Sequence, residues 1–293
     1  VNIAHSKNIP VIIINGRISD GSFNIYKRFR FITSTFFRKV AFVLAQDHEY
    51  AAKFSYLGCS ENKMTVSGSL KYETAQIADR IEGADEAASF LKLDKDTRLW
   101  VAGGTGNDEE KIILEVFQDL RKQDELRDLR LALVPRKPER FNEVADLIRK
   151  SGLPLIRFSS IKEGGDGIDI QEDSVILVDT IGDLRKFYSL AAVIFTGRSL
   201  VPMGGSDMIE AAALGKCIIF GPHTFNFNQA VKALLADNGA IQVQDGNELF
   251  SQIQKCLMEP DFASEIAANA RNVILKNQGA TERTLQHISK YLK

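Results

Sequence analysis

GRSLVPMGGSDMIEAAALGKCIIFGPHTFNF, residues 197–227, holds a loop, a short helix-like stretch, a β-branched run and a second loop. Another β-branched run, 192–195, leads into it. Strand, loop, helix and strand in that order are the repeating unit of a parallel α/β sheet. In such sheets ligands gather at the carboxyl ends of the strands. The residues just after each run are therefore the ones to read for function. Gly204 and Gly205 let a backbone approach a ligand closely, and a helix start beside them suits a phosphate. Glu210, one turn further on, is placed to accept hydrogen bonds from both hydroxyls of a ribose. Met208 and Ile209 lie between Asp207 and Glu210. Asp207 and Glu210 equally have the spacing of a capping box, and Gly-Gly is equally a turn. Spacing alone leaves both readings open.

The same alternation extends over most of the chain. Strand-like runs fall at 11–14, 41–44, 99–102, 129–134, 155–158, 175–178, 192–195, 216–220 and 240–243. Helix-like stretches fall at 109–122, 139–150, 207–214 and 226–236. A long helix is expected over 72–91. Residues 248–291 read as helices alone, broken near Pro260 and Gly279. The Gly164-Gly165-Asp166-Gly167 run, with acids around it, reads as a flexible loop. A boundary falls near Ser67-Gly68-Ser69: the part after it is large enough for a complete doubly wound domain, and the part before it is not. Two or three strands alone expose too much apolar surface, and the chain opens on Val1 in mid-connection, so further sequence is expected upstream.

The 293 residues are 44% hydrophobic and 26% charged, with a formal net charge of -1. That balance suits a soluble globular protein and gives no field favouring nucleic acid. No apolar run of spanning length occurs. Three scattered cysteines, Cys59, Cys217 and Cys256, fit neither a disulfide framework nor a zinc site, which points to a reducing cytosol. His5, His48, His223 and His287 form no set, so no metal is expected.

Other strand ends add candidates. Pro135-Arg136-Lys137-Pro138 is a rigid turn carrying a guanidinium suited to a phosphate or carboxylate. Ile181-Gly182-Asp183 is a tight turn whose backbone groups suit a base edge, or an ordinary helix start. Gly103-Gly104-Thr105-Gly106 looks like a phosphate cradle but lacks the lysine and glycine order of the known ones. Residues 26–39, YKRFRFITSTFFRK, carry Lys27, Arg28, Arg30, Arg38 and Lys39 with no acid, interleaved with Phe29, Phe31, Phe36 and Phe37. Such a stretch suits an anionic membrane surface, or is a solvated helix with its phenylalanines in a core.

Taken in order, PVIIINGRISDGS (10–22), LAQDHEYAAKFSYLGC (44–59) leading to VSGSLKYE (66–73), LVPRKPERF (133–141), VDTIGDL with Phe187-Tyr188, and the 197–227 stretch resemble one family. It is the bacterial 3-deoxy-D-manno-octulosonic acid (Kdo) transferases, glycosyltransferase family 30. The resemblance implies a GT-B fold of two Rossmann-like domains: residues 1–70 as the remainder of an acceptor-binding domain, 71–260 as a nucleotide-sugar-binding domain, and 261–293 as helices returning to the first. It implies inverting, metal-independent transfer of Kdo from CMP-Kdo, with no cofactor, to a lipid A precursor at the cytoplasmic face of the inner membrane. It assigns CMP contacts to Pro135 and Arg136, the base turn to Ile181, Gly182 and Asp183, the phosphate neighbourhood to Gly204 and Gly205, and the ribose to the segment from Asp207 to Glu210. Lys137, Ser206 and Ser199 become candidates for the donor sugar or phosphate. The family's catalytic base, a glutamate near the start of the full protein, falls upstream of Val1. This chain departs from the pattern at Lys137, Ser206 and Gly106, where the family has His, at Asp207, where it has Asn, and at Asp183, where it has Glu. An added acid at 207 works against an anionic donor by roughly 4 kcal/mol at about 4 Å, unless Lys137 or Arg198 offsets it. A GT-B enzyme using another nucleotide sugar, or a non-catalytic nucleotide-sugar-binding paralogue, shares part of this pattern.

Overall fold

A computed structural model describes residues 1–164, 170, 171 and 173–292; from Gly165 on, the expected glycine loop lies outside the described residues. The chain divides into two compact units, one of residues 1–75 with Leu275 onward, the other Gln76–Ile274. The expected cuts at 70/71 and 260/261 thus move to 75/76 and 274/275. The reason is packing: Ala263 and Ile266 join the large unit's core, whereas Tyr72 and Ala75 offer their carbonyls to Gln278 at 3.2 and 2.9 Å.

The smaller unit has a parallel sheet in the order β1 (Ile12–Gly16), β2 (Phe42–Ala45), β3 (Met64–Val66). Helices α1 (Asn2–Ser6), α2 (Asp20–Arg28), α3 (Arg30–Phe37) and α4 (His48–Leu57) connect and flank it. Asp47 caps α4 by accepting from the Tyr50 amide at 2.8 Å, and Gly58, in the left-handed region at φ 114°, ends it. Val43, Ala45, Phe54 and Leu57 form its core. Sequence reading missed β3, where Thr65 interrupts the apolar run and all three residues are only partly buried.

The larger unit carries seven parallel strands in the order β10-β9-β8-β4-β5-β7-β6. They are β4 (Leu99–Thr105), β5 (Arg130–Pro135), β6 (Leu155–Arg157), β7 (Val175–Leu177), β8 (Val193–Thr196), β9 (Cys217–Phe220) and β10 (Ile241–Gln242). All lie on runs read from the sequence, because strands buried on both faces are continuously apolar. Between them come α5 (Ala84–Phe90), α6 (Glu109–Arg121), α7 (Phe141–Lys150), α8 (Phe158–Lys162), α9 (Leu184–Leu190), α10 (Ile209–Ala213) and α11 (Asn228–Ala236), then α12 (Gly246–Met258) and α13 (Pro260–Asn277), with α14 (Ala280–Ile288) in the smaller unit. Trp100, Phe117, Leu131, Phe195 and Ile219 are buried in one cluster around the central strands. The Cys217 and Cys256 thiols meet there at 3.5 Å, although they are distant in sequence.

Two helix expectations fail. The long helix over 72–91 is only a 3-10 turn at Leu70–Tyr72 and the short α5. Gly83 sits at φ 76° before α5, and the segment in between bonds to side chains instead of to itself: Gln76 to Arg185, and Asp79 to Arg271. The helix over 207–214 shrinks to the single turn of α10.

The cost of burying charge is visible at the start of α6. Glu110 is fully buried and takes both ends of the Arg140 guanidinium, at 2.7 and 3.2 Å, plus the Thr105 hydroxyl at 2.9 Å. Burial alone lowers the Arg140 pKa, but bonds to Glu110 and Glu143 outweigh it and raise it. Removing one member of such a pair strands the other in a dry environment. Glu110→Ala is therefore expected to lower the unfolding free energy by roughly 3–5 kcal/mol, read from urea denaturation.

Candidate functional site

Beyond β4 the chain builds outward to one side through β5, and β8 begins the other side, so the switch in direction falls between β4 and β8. That is where a ligand crevice belongs in an open α/β sheet. Its floor is held by Glu109, the first residue of α6. This fully buried carboxylate accepts from the amides of Gly106 (3.3 Å), Arg198 (2.5 Å), Ser199 (2.9 Å) and Leu200 (3.0 Å). Burial pushes its pKa up, and the four amides offset this only in part. Arg198 takes a left-handed conformation, φ 58°, to turn its amide inward. Gly197 packs so tightly that a Cβ would stand 2.6 Å from the Thr105 Cα.

Three loops are pinned to one another here. The Ser199 hydroxyl donates to the Thr196 carbonyl at 2.6 Å and accepts from the Gly221 amide at 2.8 Å, and the Ser199 carbonyl receives the His223 amide at 2.9 Å. Ser199 is fully buried and holds the loop after β9. Its hydroxyl thus holds the loop with one donated and one accepted bond. Ser206 is nearly as buried, and its hydroxyl donates to the Gly104 carbonyl at 2.6 Å, tying the glycine pair to the end of β4. Gly204 and Gly205 stand at φ 90° and 83°. The Gly205 amide donates to the Arg198 carbonyl at 2.7 Å, and a Cβ on Gly204 would fall 2.2 Å from the Asn226 Nδ2. The pair shapes a loop several residues before α10 and does not open a helix. A one-turn helix carries too little dipole for the phosphate argument.

Asp207 lies just before α10, whose N-cap is Met208, and its carboxylate accepts from the Ile209 amide at 2.9 Å. Met208 and Ile209 are core side chains. Glu210, the second residue of α10, is half-buried. Burial raises its pKa, the Asp207 charge raises it further, and Arg185 and Arg136 act the other way. The buried Tyr188 hydroxyl on α9 feels the same Glu210, Asp207 and Arg136 charges. Helices α9 and α10 pack on each other, and Arg136, just after β5, acts electrostatically on both Tyr188 and Glu210. Arg136 is exposed and its amide donates to the Thr105 carbonyl at 3.1 Å; Pro135 ends β5. In the 181–183 turn, Ile181 is exposed, Gly182 stands at φ 93°, and the Asp183 carboxylate faces inward. Burial pushes the Asp183 pKa up, but Lys186 at 2.8 Å and Lys162 at 3.0 Å prevail and bring it down to about 2. Asp183 thus fixes the turn, while Ile181 and the Gly182 backbone are what it presents. Lys137 is exposed, 3.9 Å from Glu139.

The model described as 3-deoxy-D-manno-octulosonic-acid transferase (kdotransferase) matches residues 1–74. A 3-deoxy-D-manno-octulosonic acid transferase of Haemophilus influenzae is 30% identical over 296 residues, covering 100% of this chain and 67% of its own length. The chain belongs to the Kdo transferase family. The C-terminal CMP-Kdo binding domain of WaaA from Acinetobacter baumannii aligns at 30% identity and a TM-score of 0.58, over 65% of this chain and 97% of that one. Anabaena HepE in complex with UDP-glucose, at 13% identity and a TM-score of 0.55 over 99% of this chain and 73% of that one, shares the GT-B fold alone. The chain spans about two thirds or less of the length of the curated Kdo transferases it matches.

Sequence reading named Glu210, Arg136 and the 181–183 turn as nucleotide candidates and named neither Glu109 nor Arg185 as a site residue. Glu109 did leave a signal, an acid opening a helix after a glycine-rich turn, but three of its four partners come from 89 to 91 residues downstream. At position 106, where the family pattern has His, this chain has glycine. A Cβ there would stand 2.5 Å from the Met203 sulfur. Glu109→Ala is expected to speed hydrogen exchange at the Arg198, Ser199 and Leu200 amides by about tenfold or more, equivalent to roughly 1.4 kcal/mol, while amides of β5 and β7 hold their protection.

Proposed function

We propose that the cluster around Glu210 binds the nucleotide of CMP-Kdo, and that the whole protein transfers Kdo to a lipid A precursor. The observation that carries this is that Arg136, just after β5, acts electrostatically on Glu210, and that the 181–183 turn leads into α9, which packs on the helix bearing Glu210. The ionised Glu210 carboxylate accepts from the two ribose hydroxyls. The exposed Arg136 meets the phosphate with a charge-assisted bond, and Lys137 stands beside it. Ile181 and the Gly182 backbone face the base. Inverting transfer needs a carboxylate on the acceptor side to take the hydroxyl proton. The donor-side residues position the nucleotide and stabilise the phosphate as it leaves. Because the phosphate charge is met by side chains, the reaction is proposed to be metal-independent.

Calorimetry on the intact chain tests the nucleotide. CMP is expected to bind more tightly than UDP or GDP, and Arg136→Ala to weaken CMP by about 10- to 100-fold, since a bond to a charged group contributes roughly 1.5–3 kcal/mol. Equal affinity for all three would refute the CMP assignment. The raised Glu210 pKa sets the sign of the pH dependence: the ionised form accepts the ribose hydroxyls, so affinity falls as pH drops through a midpoint above 4.5, the ordinary glutamate value. Cytidine, which has no phosphate to titrate, isolates this effect, and Glu210→Gln should abolish it.

The acceptor side supports peripheral contact with an anionic membrane, as at the cytoplasmic face of an inner membrane. No helix among the described residues is long and apolar enough to cross one. Along α2 and α3, Ile25, Phe29, Phe31, Ile32 and Phe36 are exposed, and Phe37 alone of the four phenylalanines turns to the core. Arg30 lies over the Tyr56 ring at 4.8 Å, which leaves its apolar neighbours outward. Basic heads around apolar bodies suit anionic headgroups, at about 1 kcal/mol per cation. Vesicle flotation is expected to depend on anionic lipid and to drop about tenfold in Lys27→Glu with Arg28→Glu. Flotation indifferent to lipid charge would remove this surface from the proposal.

A further inference from the structure

Two thiols that the nucleotide chemistry leaves unused meet in the core of the larger unit. Cys217 opens β9, and Cys256 lies in the last turn of α12, which packs on β8, β9 and α6. Both are buried, and their sulfurs stand 3.5 Å apart although the residues are 39 positions apart in sequence. A disulfide needs about 2.05 Å between sulfurs. Each cysteine turns about its Cα–Cβ bond, and the gap left to close is on the order of 1.5 Å.

The two sulfurs differ in character. The hydrogen bond from Cys217 holds the Cys256 thiol below its ordinary value; burial works against this, and Lys255 adds to it. The same bond, with burial, pushes the Cys217 thiol up, so it keeps its proton. A thiol that ionises more readily beside one that does not suits an attacking and a resolving cysteine. Cys59 differs from both: it faces the Phe37 carbonyl at 3.5 Å, and burial pushes its thiol up to about 11. Cys256 is two residues from the end of α12, before the break at Glu259 and Pro260. A helix end opens at far less cost than the whole fold, and opening this turn uncovers the pair to a small reagent.

We propose that Cys217 and Cys256 form a reversible oxidation site, which a peroxide converts into a disulfide joining β9 to α12 with the surrounding fold kept. The Cys256 thiolate attacks one peroxide oxygen: an S–O bond forms, the O–O bond breaks, and the hydroxide that leaves takes up the proton Cys256 gave away. The Cys217 sulfur then attacks the sulfenic sulfur: the S–S bond forms, the S–O bond breaks, and water leaves with the Cys217 proton. In total the two thiols lose two electrons and two protons, and the peroxide becomes two waters. A dithiol reductant reverses the change by exchange.

Mass spectrometry of the intact, reduced chain treated with hydrogen peroxide, then alkylated after denaturation, tests this. The expected product is a monomer lighter by two hydrogens that takes one alkyl group, on Cys59, and yields a peptide linking Cys217 to Cys256. Dithiothreitol should restore alkylation at all three cysteines. The oxidised chain should unfold about 5 °C or more above the reduced one, because the bond closes a long loop. Three unchanged thiols, oxidation of either partner to sulfinic acid in place of the disulfide, preferential oxidation of Cys59, or an oxidised chain that unfolds no higher than the reduced one would each overturn the proposal.

Discussion

A carboxylate in a ring of backbone amides organises this site. Successive N–H groups at the end of a strand form the kind of concavity that elsewhere binds a phosphate. Here Glu109 fills it from inside the molecule. Burying that acid is unfavourable, and bonds from four amides are what make it tolerable. The consequence is a loop over 197–200 that needs no ligand to hold its shape. Ser199 then passes that order to the loop after β9, and Ser206 passes it back to the end of β4. Glu210 and Arg136 inherit a fixed frame.

Which parts of this were legible in the sequence follows from the range of the interactions. The strands of the large sheet could be read because burial on both faces leaves a continuous apolar run in each. The terminal helices could be read because Pro260 and Gly279 mark their ends. The segment over 72–91 misled because its composition permits a helix, while Arg185 and Arg271 offer bonds that no local pattern reveals. Tertiary context overrode propensity there. Asp207 and Glu210 show the same division within four residues. Capping and ribose recognition were rival readings of one spacing; in the structure Asp207 accepts from the Ile209 amide ahead of the helix, while Glu210 lies inside it under the charges of Arg136 and Arg185.

Residues that look like ligands in a motif are sorted by how their polar atoms are already used. Ser199 and Asp183 stand in the motif loops, but one hydroxyl is engaged twice and one carboxylate is held by two lysines. Gly205 has given its amide to Arg198. Arg136, Ile181 and Glu210 keep exposed or half-buried groups uncommitted to such internal bonds. A spacing match cannot make this distinction, because it counts positions and not vacant donors and acceptors.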